Sequence, residues 1–342
     1  MNSLKCFATA LCLLVGTIAA AAPTVASLPS YKGDYTQTSV SGLSSGAFMA
    51  VQYQVAYSAS VVGAGIVAGG PYYCAAGNLF NASICMGQVP FVPPLASLMV
   101  ASAQSFAAAG QIDPLPNLQN AHVYVFSGTK DTVVRQQAVN STVDFFHEIG
   151  VPSANLKYVN NVPSGHALIT PSFGNTCPTN ATPYVSHCTV DKVSYDQPGA
   201  LLTQIYGSLN PPAKTLSGKI VTFDQNEFAP ALTTGMADKA YVYVPKSCTQ
   251  GASCKVHVAF HGCMQSAETA GVGDDFYGKT SYNNWADTNN IMVLYPQVNA
   301  TLPLNSGGCW DWYGYTGPNY AVKSAPQMTA IMNMVHKITS GY

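Results

Sequence analysis

The chain has 342 residues, of which only 8% are charged, and its formal net charge at pH 7 is -1. So sparse and balanced a charge argues against a nucleic-acid surface or an electrostatically bound anionic ligand, and points to a neutral partner. The length suits one α/β domain carrying insertions.

Residues 1 to about 21 read as a secretory signal peptide: Lys5 gives a basic start, Cys6 to Ile18 is almost wholly apolar, and Ala19, Ala20 and Ala21 are small cleavage-site residues. The apolar run falls short of the ~20 residues that a spanning helix needs, and no later segment reads as transmembrane. The expectation is a secreted, extracellular chain of residues 22 to 342, with no membrane attachment after cleavage. Thr36 to Val40 is a short β-prone run, followed by Gly42-Leu43-Ser44-Ser45-Gly46 and then by Ala47 to Ser58, which contains neither Gly nor Pro. Strand, tight turn and helix is the natural order.

Val61 to Ala68 and His122 to Phe126 read as buried parallel strands, Thr142 to Ile149 as a helix and Leu156 to Val159 as the next strand. This βαβ rhythm implies a mostly parallel, doubly wound sheet with helices on both faces. Between Asn210 and Asp238 the pattern weakens into Pro, Gly, Ser and Thr, the one candidate boundary between two halves. Beyond it Ala240 to Val244, Val256 to His261 and Ile291 to Tyr295 read as strands, and Ser281 to Asn289 and Gln327 to Thr339 as helices. Asn81, Asn140, Asn180 and Asn299 each begin an N-x-S/T sequon.

Ten cysteines are present, and Cys6 and Cys12 leave with the signal peptide. The remaining eight, an even number in an oxidising compartment, imply four disulfides. Proximity suggests Cys74 with Cys85, Cys177 with Cys188 and Cys248 with Cys254, leaving Cys263 and Cys309, although eight cysteines allow on the order of a hundred connectivities. No C-x-x-C pair exists and no cysteine pair stands near a His pair, so neither a metal nor another cofactor is expected.

The pentapeptide around Ser44 fits G-x-S-x-G, in which small flanking residues let the chain turn so sharply that the serine hydroxyl stands clear of the sheet. A serine hydroxyl is a poor nucleophile at neutral pH, and needs a histidine to take its proton and a carboxylate to orient that histidine. In the α/β-hydrolase order of Ser, Asp, His, Asp131 follows strand His122 to Phe126 and His166 follows strand Leu156 to Val159, both in loops at carboxyl ends. Asp113 lies in a Pro-rich stretch and Asp144 within a helix, so both rank behind Asp131. His122, His257, His147, His336 and His187 have structural readings. His261-Gly262-Cys263 ends a strand, where such a turn presents backbone N–H groups to an oxyanion rather than a proton acceptor.

These residues resemble a known family, the extracellular polyhydroxybutyrate depolymerases of the fungal single-domain type, which have a circularly permuted α/β-hydrolase fold. The resemblance runs over most of the chain. It is carried by Ser41 to Gly46, Ala68-Gly69-Gly70-Pro71-Tyr72, Tyr206-Gly207-Ser208-Leu209-Asn210, His261-Gly262-Cys263-Met264-Gln265, Trp285 to Asn290 and Gly308-Cys309-Trp310-Asp311-Trp312. It implies Ser44, Asp131 and His166 as the triad and the N–H groups of Ser45 and Cys263 as the oxyanion hole. It also implies a Cys263 to Cys309 disulfide, and Trp312 lining the cleft against the polymer. The permutation would place the join of the old chain ends at about residues 210 to 238. The implied substrate is an insoluble neutral polyester, held by a monomer whose low charge and many tyrosines suit adsorption. Two other readings compete: a feruloyl or acetyl esterase acting on plant polysaccharide, and a non-catalytic protein binding a polymer or glycan.

Overall fold

The computed structural model describes residues 25–229, 234–301 and 303–340. The signal-peptide reading of residues 1 to 21, with Cys6 and Cys12, lies outside the described residues. Thr38–Leu43 (β1), Val61–Val67 (β2), His122–Phe126 (β3) and Leu156–Val159 (β4) supply one half of an eight-stranded sheet. Lys219–Asp224 (β10), Lys239–Val244 (β11), Lys255–Phe260 (β12) and Ile291–Tyr295 (β13) supply the other. The five short strands between these groups, Leu168–Thr170 (β5), Asn175–Thr176 (β6), Val185–His187 (β7), Thr189–Val190 (β8) and Val193–Ser194 (β9), form two small sheets.

The order across the main sheet is β10-β11-β13-β12-β1-β2-β3-β4. Strands β13 through β4 run parallel, and β11 and β10 close one edge antiparallel. Strands β2, β3, β12 and β13 are legible as largely apolar runs because both of their faces are covered. Every residue of Ser45–Ala56 (α1) is buried, which accounts for a helix of Ala, Met, Val and Phe with no polar stripe. On the opposite face Gln197–Tyr206 (α5) and helix Tyr282–Asn289 pack together. The C-terminal helix Pro326–Thr339 lies against the start of the described chain, where Tyr31 and Gly33 N–H groups both donate to the Ile338 carbonyl.

Several boundaries differ from the sequence reading. Thr36 belongs to a 3-10 turn, Tyr35–Gln37, with Asp34 accepting from its N–H, so β1 starts at Thr38 and runs through to Leu43. The helix expected over Thr142 to Ile149 starts earlier, at Gln136 (α4, Gln136–Glu148). Leu79–Cys85 (α2), Ala96–Ala108 (α3) and α5 were not anticipated. The stretch Asn210 to Asp238 is not without regular structure. It contains β10, and the sheet passes from the C-terminal half to the N-terminal half at the β12–β1 pair.

Four disulfides join Cys74 to Cys85, Cys177 to Cys188, Cys248 to Cys254 and Cys263 to Cys309. No helix among the described residues is long and apolar enough to cross a membrane.

Candidate active site

Register brings the carboxyl ends of five strands to one edge. Gly42 pairs with Phe260, Leu43 with Val67, Val67 with Phe126 and Phe126 with Val159. The loops that follow these strands carry Cys263, Ser44, Asp131 and His166, and the carboxyl edge of an open parallel sheet is where such groups converge.

Ser44 stands between β1 and α1 with φ 58° and ψ -124°, a strained conformation for a residue with a side chain. Its two glycines answer to two different walls. A Cβ on Gly42 would lie 2.2 Å from the Gly46 carbonyl oxygen, and one on Gly46 would lie 2.3 Å from that of Phe260. The elbow can be this tight only because both positions lack a side chain.

Asp131 and His166 are buried, and Asp131 Oδ2 is 2.8 Å from His166 Nδ1. The other carboxylate oxygen accepts from the N–H groups of Val133 and Val134 at 2.8 and 2.9 Å. With Nδ1 held by the carboxylate, Nε2 is the ring nitrogen left for another partner. The His166 ring meets Tyr184 edge-on at 5.8 Å. Main-chain bonds tie the two loops together: Thr129 N–H donates to the Val162 carbonyl and Lys130 N–H to that of Ser164.

His261 is fully buried and both of its ring nitrogens are used. Nδ1 faces the Gly262 carbonyl at 2.7 Å, and Nε2 accepts from the Val298 N–H at 3.0 Å. Burial pushes its pKa down to about 4, so it stays neutral and acts as a brace. The turn after it is shaped by Gln265, whose Oε1 accepts from Gly262 N–H at 2.6 Å while its Nε2 donates to the Pro183 and Tyr184 carbonyls. Gly262 packs 3.4 Å from the Ser44 side chain by the position its Cβ would take. The Cys263–Cys309 disulfide fastens this turn to the loop bearing Trp310, Asp311 and Trp312.

In that loop the buried Asp311 carboxylate collects the N–H groups of Gly314, Tyr315 and Thr316. Burial nonetheless raises its pKa above the ordinary carboxylate value. Trp312 stacks on Phe48 with ring centres 4.4 Å apart. Together with Ser44, Ser45, His166, Tyr184, Cys263, Met264 and Met86 it lines a cleft of about 150 Å³.

Ser44, Ser45, His166, Cys263 and Trp312 thus share one cleft, and Asp131 reaches it through His166. The competing carboxylates lie elsewhere: Asp113 pairs with Lys323, and Asp144 is exposed on α4. Sequence reasoning gave no role to Gln265, although it stands in the His261 to Gln265 motif, and noted Asn180 only as a sequon. No group of His, Cys, Asp and Glu among the described residues could hold a metal ion.

No protein-family model matches the chain. A poly(3-hydroxybutyrate) depolymerase of Delftia acidovorans is 45% identical over 333 residues, covering 96% of this chain and 64% of its own length. The chain therefore spans just under two thirds of that relative. A polyhydroxybutyrate depolymerase of Talaromyces funiculosus is 37% identical over 341 residues, with 95% of this chain and 96% of the relative covered. Among solved structures, a PHB depolymerase from Penicillium funiculosum superposes with a TM-score of 0.84 at 36% identity, over 92% of this chain and 99% of that one. A serine-to-alanine PHB depolymerase complexed with an R3HB trimer gives the same figures. Full-length similarity at this level, on a sheet of the same kind, establishes that the chain belongs to the polyhydroxybutyrate depolymerase family.

Proposed function

We propose that the protein is a secreted serine esterase that cleaves poly(3-hydroxybutyrate), or a similar polyhydroxyalkanoate, through an acyl-enzyme on Ser44. The observation that carries this reading is the buried Asp131–His166 hydrogen bond at the wall of the cleft that Ser44 lines. Ser44 Oγ attacks the ester carbonyl as its proton passes to His166 Nε2, and Asp131 stabilises the imidazolium. The carbonyl oxygen takes up the electron pair and is held by the N–H groups of Ser45, at the positive end of α1, and Cys263. Collapse expels the alkoxide of one fragment, which takes the proton from His166. Water then adds to the acyl carbon while giving a proton to His166, and the released carboxyl fragment leaves Ser44 protonated again.

An insoluble, neutral substrate fits the surface beside the cleft. Leu79, Phe80, Phe91, Leu95 and Leu98 are exposed on α2, α3 and the segment between them, which begins with Met86 of the cleft wall. A cluster of large apolar side chains in water on a monomer marks a contact surface, here for a polymer film. Extracellular action is supported by four disulfides, which persist in an oxidising compartment.

The test is clearing of a polyhydroxybutyrate suspension, with 3-hydroxybutyrate products quantified and Ser44→Ala as control. Wild-type protein is expected to clear it, and the variant to lose roughly 10⁴-fold or more in kcat with an unchanged Tm. Near-normal hydrolysis by Ser44→Ala would sink the mechanism. Hydrolysis of short soluble esters without clearing would keep the mechanism and move the substrate to another ester, such as the aryl or acetyl esters of plant polysaccharide.

A further inference from the structure

The loop that presents Asp131 and the loop that presents His166 run side by side only part of the way. Their main-chain bonds end at Lys130 and Ser164, where a Cβ on Gly128 would touch the Ser164 carbonyl oxygen at 2.3 Å. Beyond that point the loops must diverge to set the carboxylate and imidazole face to face. The side chain of Asn180 sits at the divergence. Its Oδ1 accepts from His166 N–H at 2.8 Å and from Thr132 N–H at 3.1 Å, and its Nδ2 donates to the Lys130 carbonyl at 3.0 Å and the Pro178 carbonyl at 3.2 Å.

Both acceptor sites and both donors of the amide are therefore engaged. Two of the contacts flank Asp131 in sequence and a third is the main chain of His166 itself. Asn180 is in turn fixed from behind. Its turn is closed by Thr179 N–H donating to the Thr176 carbonyl, and Cys177 in that turn is bonded to Cys188. The His166 loop leans directly on it: Gly165 N–H donates to the Cys177 carbonyl, and a Cβ on Gly165 would lie 2.3 Å from the Thr179 carbonyl oxygen.

We infer that Asn180 is a positioning residue for catalysis, the clamp that holds the Asp131 and His166 loops at hydrogen-bonding distance. The inference rests on the serine-esterase reading above and adds to it a fourth residue, which touches neither substrate nor Ser44. An amide is required because one end must face two N–H groups and the other two carbonyls. A carboxylate of the same shape would turn an oxygen toward both carbonyls, and an alanine would leave all four main-chain groups to water. A displacement of about 1 Å in a catalytic group costs on the order of 10²-fold in rate, so a loosened clamp should register in kcat rather than in binding.

The experiment compares wild type with Asn180→Ala, Asn180→Asp and, as a control for loss of an exposed sequon asparagine, Asn140→Ala. Each is assayed on p-nitrophenyl butyrate for kcat and KM, and competent sites are counted by the amplitude of labelling with a serine-reactive phosphonate. Per labelled site, both Asn180 variants are expected to lose tenfold or more in kcat with KM within twofold of wild type, while Asn140→Ala matches wild type. A role in shape alone predicts that Asn180→Asp keeps wild-type kcat per site. That result would overturn the clamp, as would a KM rise at unchanged kcat. Should Asn180→Ala fail to fold, the isosteric Asn180→Asp decides by itself. If wild type itself neither turns over the ester nor takes the label, the esterase reading fails and the clamp falls with it; if wild type is active and only the Asn180 variants stay wild-type, the clamp alone is wrong.

Discussion

Gly46 has no room for a side chain, and the atoms that deny it lie where β12 runs into the His261–Cys263 turn. A Cβ there would meet the carbonyl oxygens of Phe260 and His261 at 2.3 and 2.4 Å, both main-chain atoms that cannot rotate aside. The second glycine of the G-x-S-x-G motif therefore does more than permit a sharp turn: it lets α1 seat directly on the strand end that carries Gly262 and Cys263. Overpacking at such a contact costs about 1–3 kcal/mol. Because the yielding element would be the His261–Cys263 turn, Gly46→Ala should also lose activity. The expected result is a lowered Tm together with at least a tenfold fall in kcat on a soluble ester, measured below the transition. A variant that is destabilised yet has wild-type kcat would show that the turn does not depend on this contact.

The seam between β1 and β12 joins the two halves of the sheet, and a polar chain runs through it. Tyr206 OH donates to the Gln37 carbonyl and lies 2.7 Å from Ser39 Oγ; Ser39 Oγ lies 2.6 Å from His257 Nδ1; His257 Nε2 lies 2.7 Å from Ser41 Oγ, which lies 2.6 Å from Tyr282 OH. Since the Gln37 carbonyl can only accept, the chain resolves in one direction, with Nδ1–H donating to Ser39 and Nε2 accepting from Ser41. A neutral imidazole satisfies it, and burial pushes the His257 pKa down to about 3. With His261 at about 4, two histidines are neutral in the fold at a pH where the unfolded chain, titrating near 6.5, has taken up protons. Their folded values are depressed, so the stability they confer is present above about pH 6.5 and is lost as pH falls toward 4. Between pH 6.5 and 4.5 this amounts to roughly 2–3 kcal/mol for each histidine. His257→Gln should be less stable than wild type at pH 7 but lose less on acidification, read as urea midpoints at pH 7 and 4.5; equal losses would refute the account. This seam also shows what the sequence makes legible. Strands β2, β3, β12 and β13 stand out as apolar runs because helices cover both their faces, and Asp131 could be found because it follows one of them; His166 follows β4, an edge strand with no buried residue, and was reached through the Ser, Asp, His order. Helix α3 is Ala-rich and partly exposed, so it lacks a contrasting polar face, and α5 begins with Gln197-Pro198-Gly199, which reads as a turn until Asp196 is seen capping it. Edge strand β10 has one solvated side, with Ile220 well exposed, and carries no buried signature. Asn180 and Gln265 were named without a role in the site for a different reason: their partners are main-chain atoms, which leave no mark in a sequence.

At the scale of the whole molecule, chain order and spatial order disagree. The strands that occupy the β10 edge of the sheet are made last, and β1, the strand that leads into Ser44, is made first. We propose that residues 210 to 218, within the stretch from 210 to 238, mark where the ends of an ordinary hydrolase chain were joined. The segment runs from α5 to β10, at the opposite edge of the sheet from β4, the strand that precedes α5 in the main sheet. Both sides of it are anchored to helix Tyr282–Asn289. Asn210 bonds with Asn289 and Thr288, and Ala213 with Asn284, whereas Ser217 and Gly218 donate to Asp287. Lys214, Thr215 and Leu216 between them are exposed. Meanwhile Ser30 hydrogen-bonds to the Ser340 carbonyl, so the two ends of the described fold already touch. Chain ends that lie together on a surface can be linked and the chain reopened elsewhere without changing the core. A chain with Ser340 linked to Ser27 through a short Gly/Ser segment, and opened between Lys214 and Thr215, should therefore fold cooperatively and retain kcat on a soluble ester within about threefold. In it β10 and β11 would precede β12, the strand proposed to lead to the oxyanion hole, and β12 would precede β1, the strand proposed to carry the nucleophile, the order of an unpermuted α/β-hydrolase. Unfolding of the wild type and the rearranged chain in urea, with Ser44-dependent turnover of each, is the measurement. Loss of the fold would mean that the unbroken passage from α5 to β10 is itself a structural element. Retention would mean that the sheet, with the five strand ends that converge on Ser44, specifies the enzyme whichever way the chain is threaded through it.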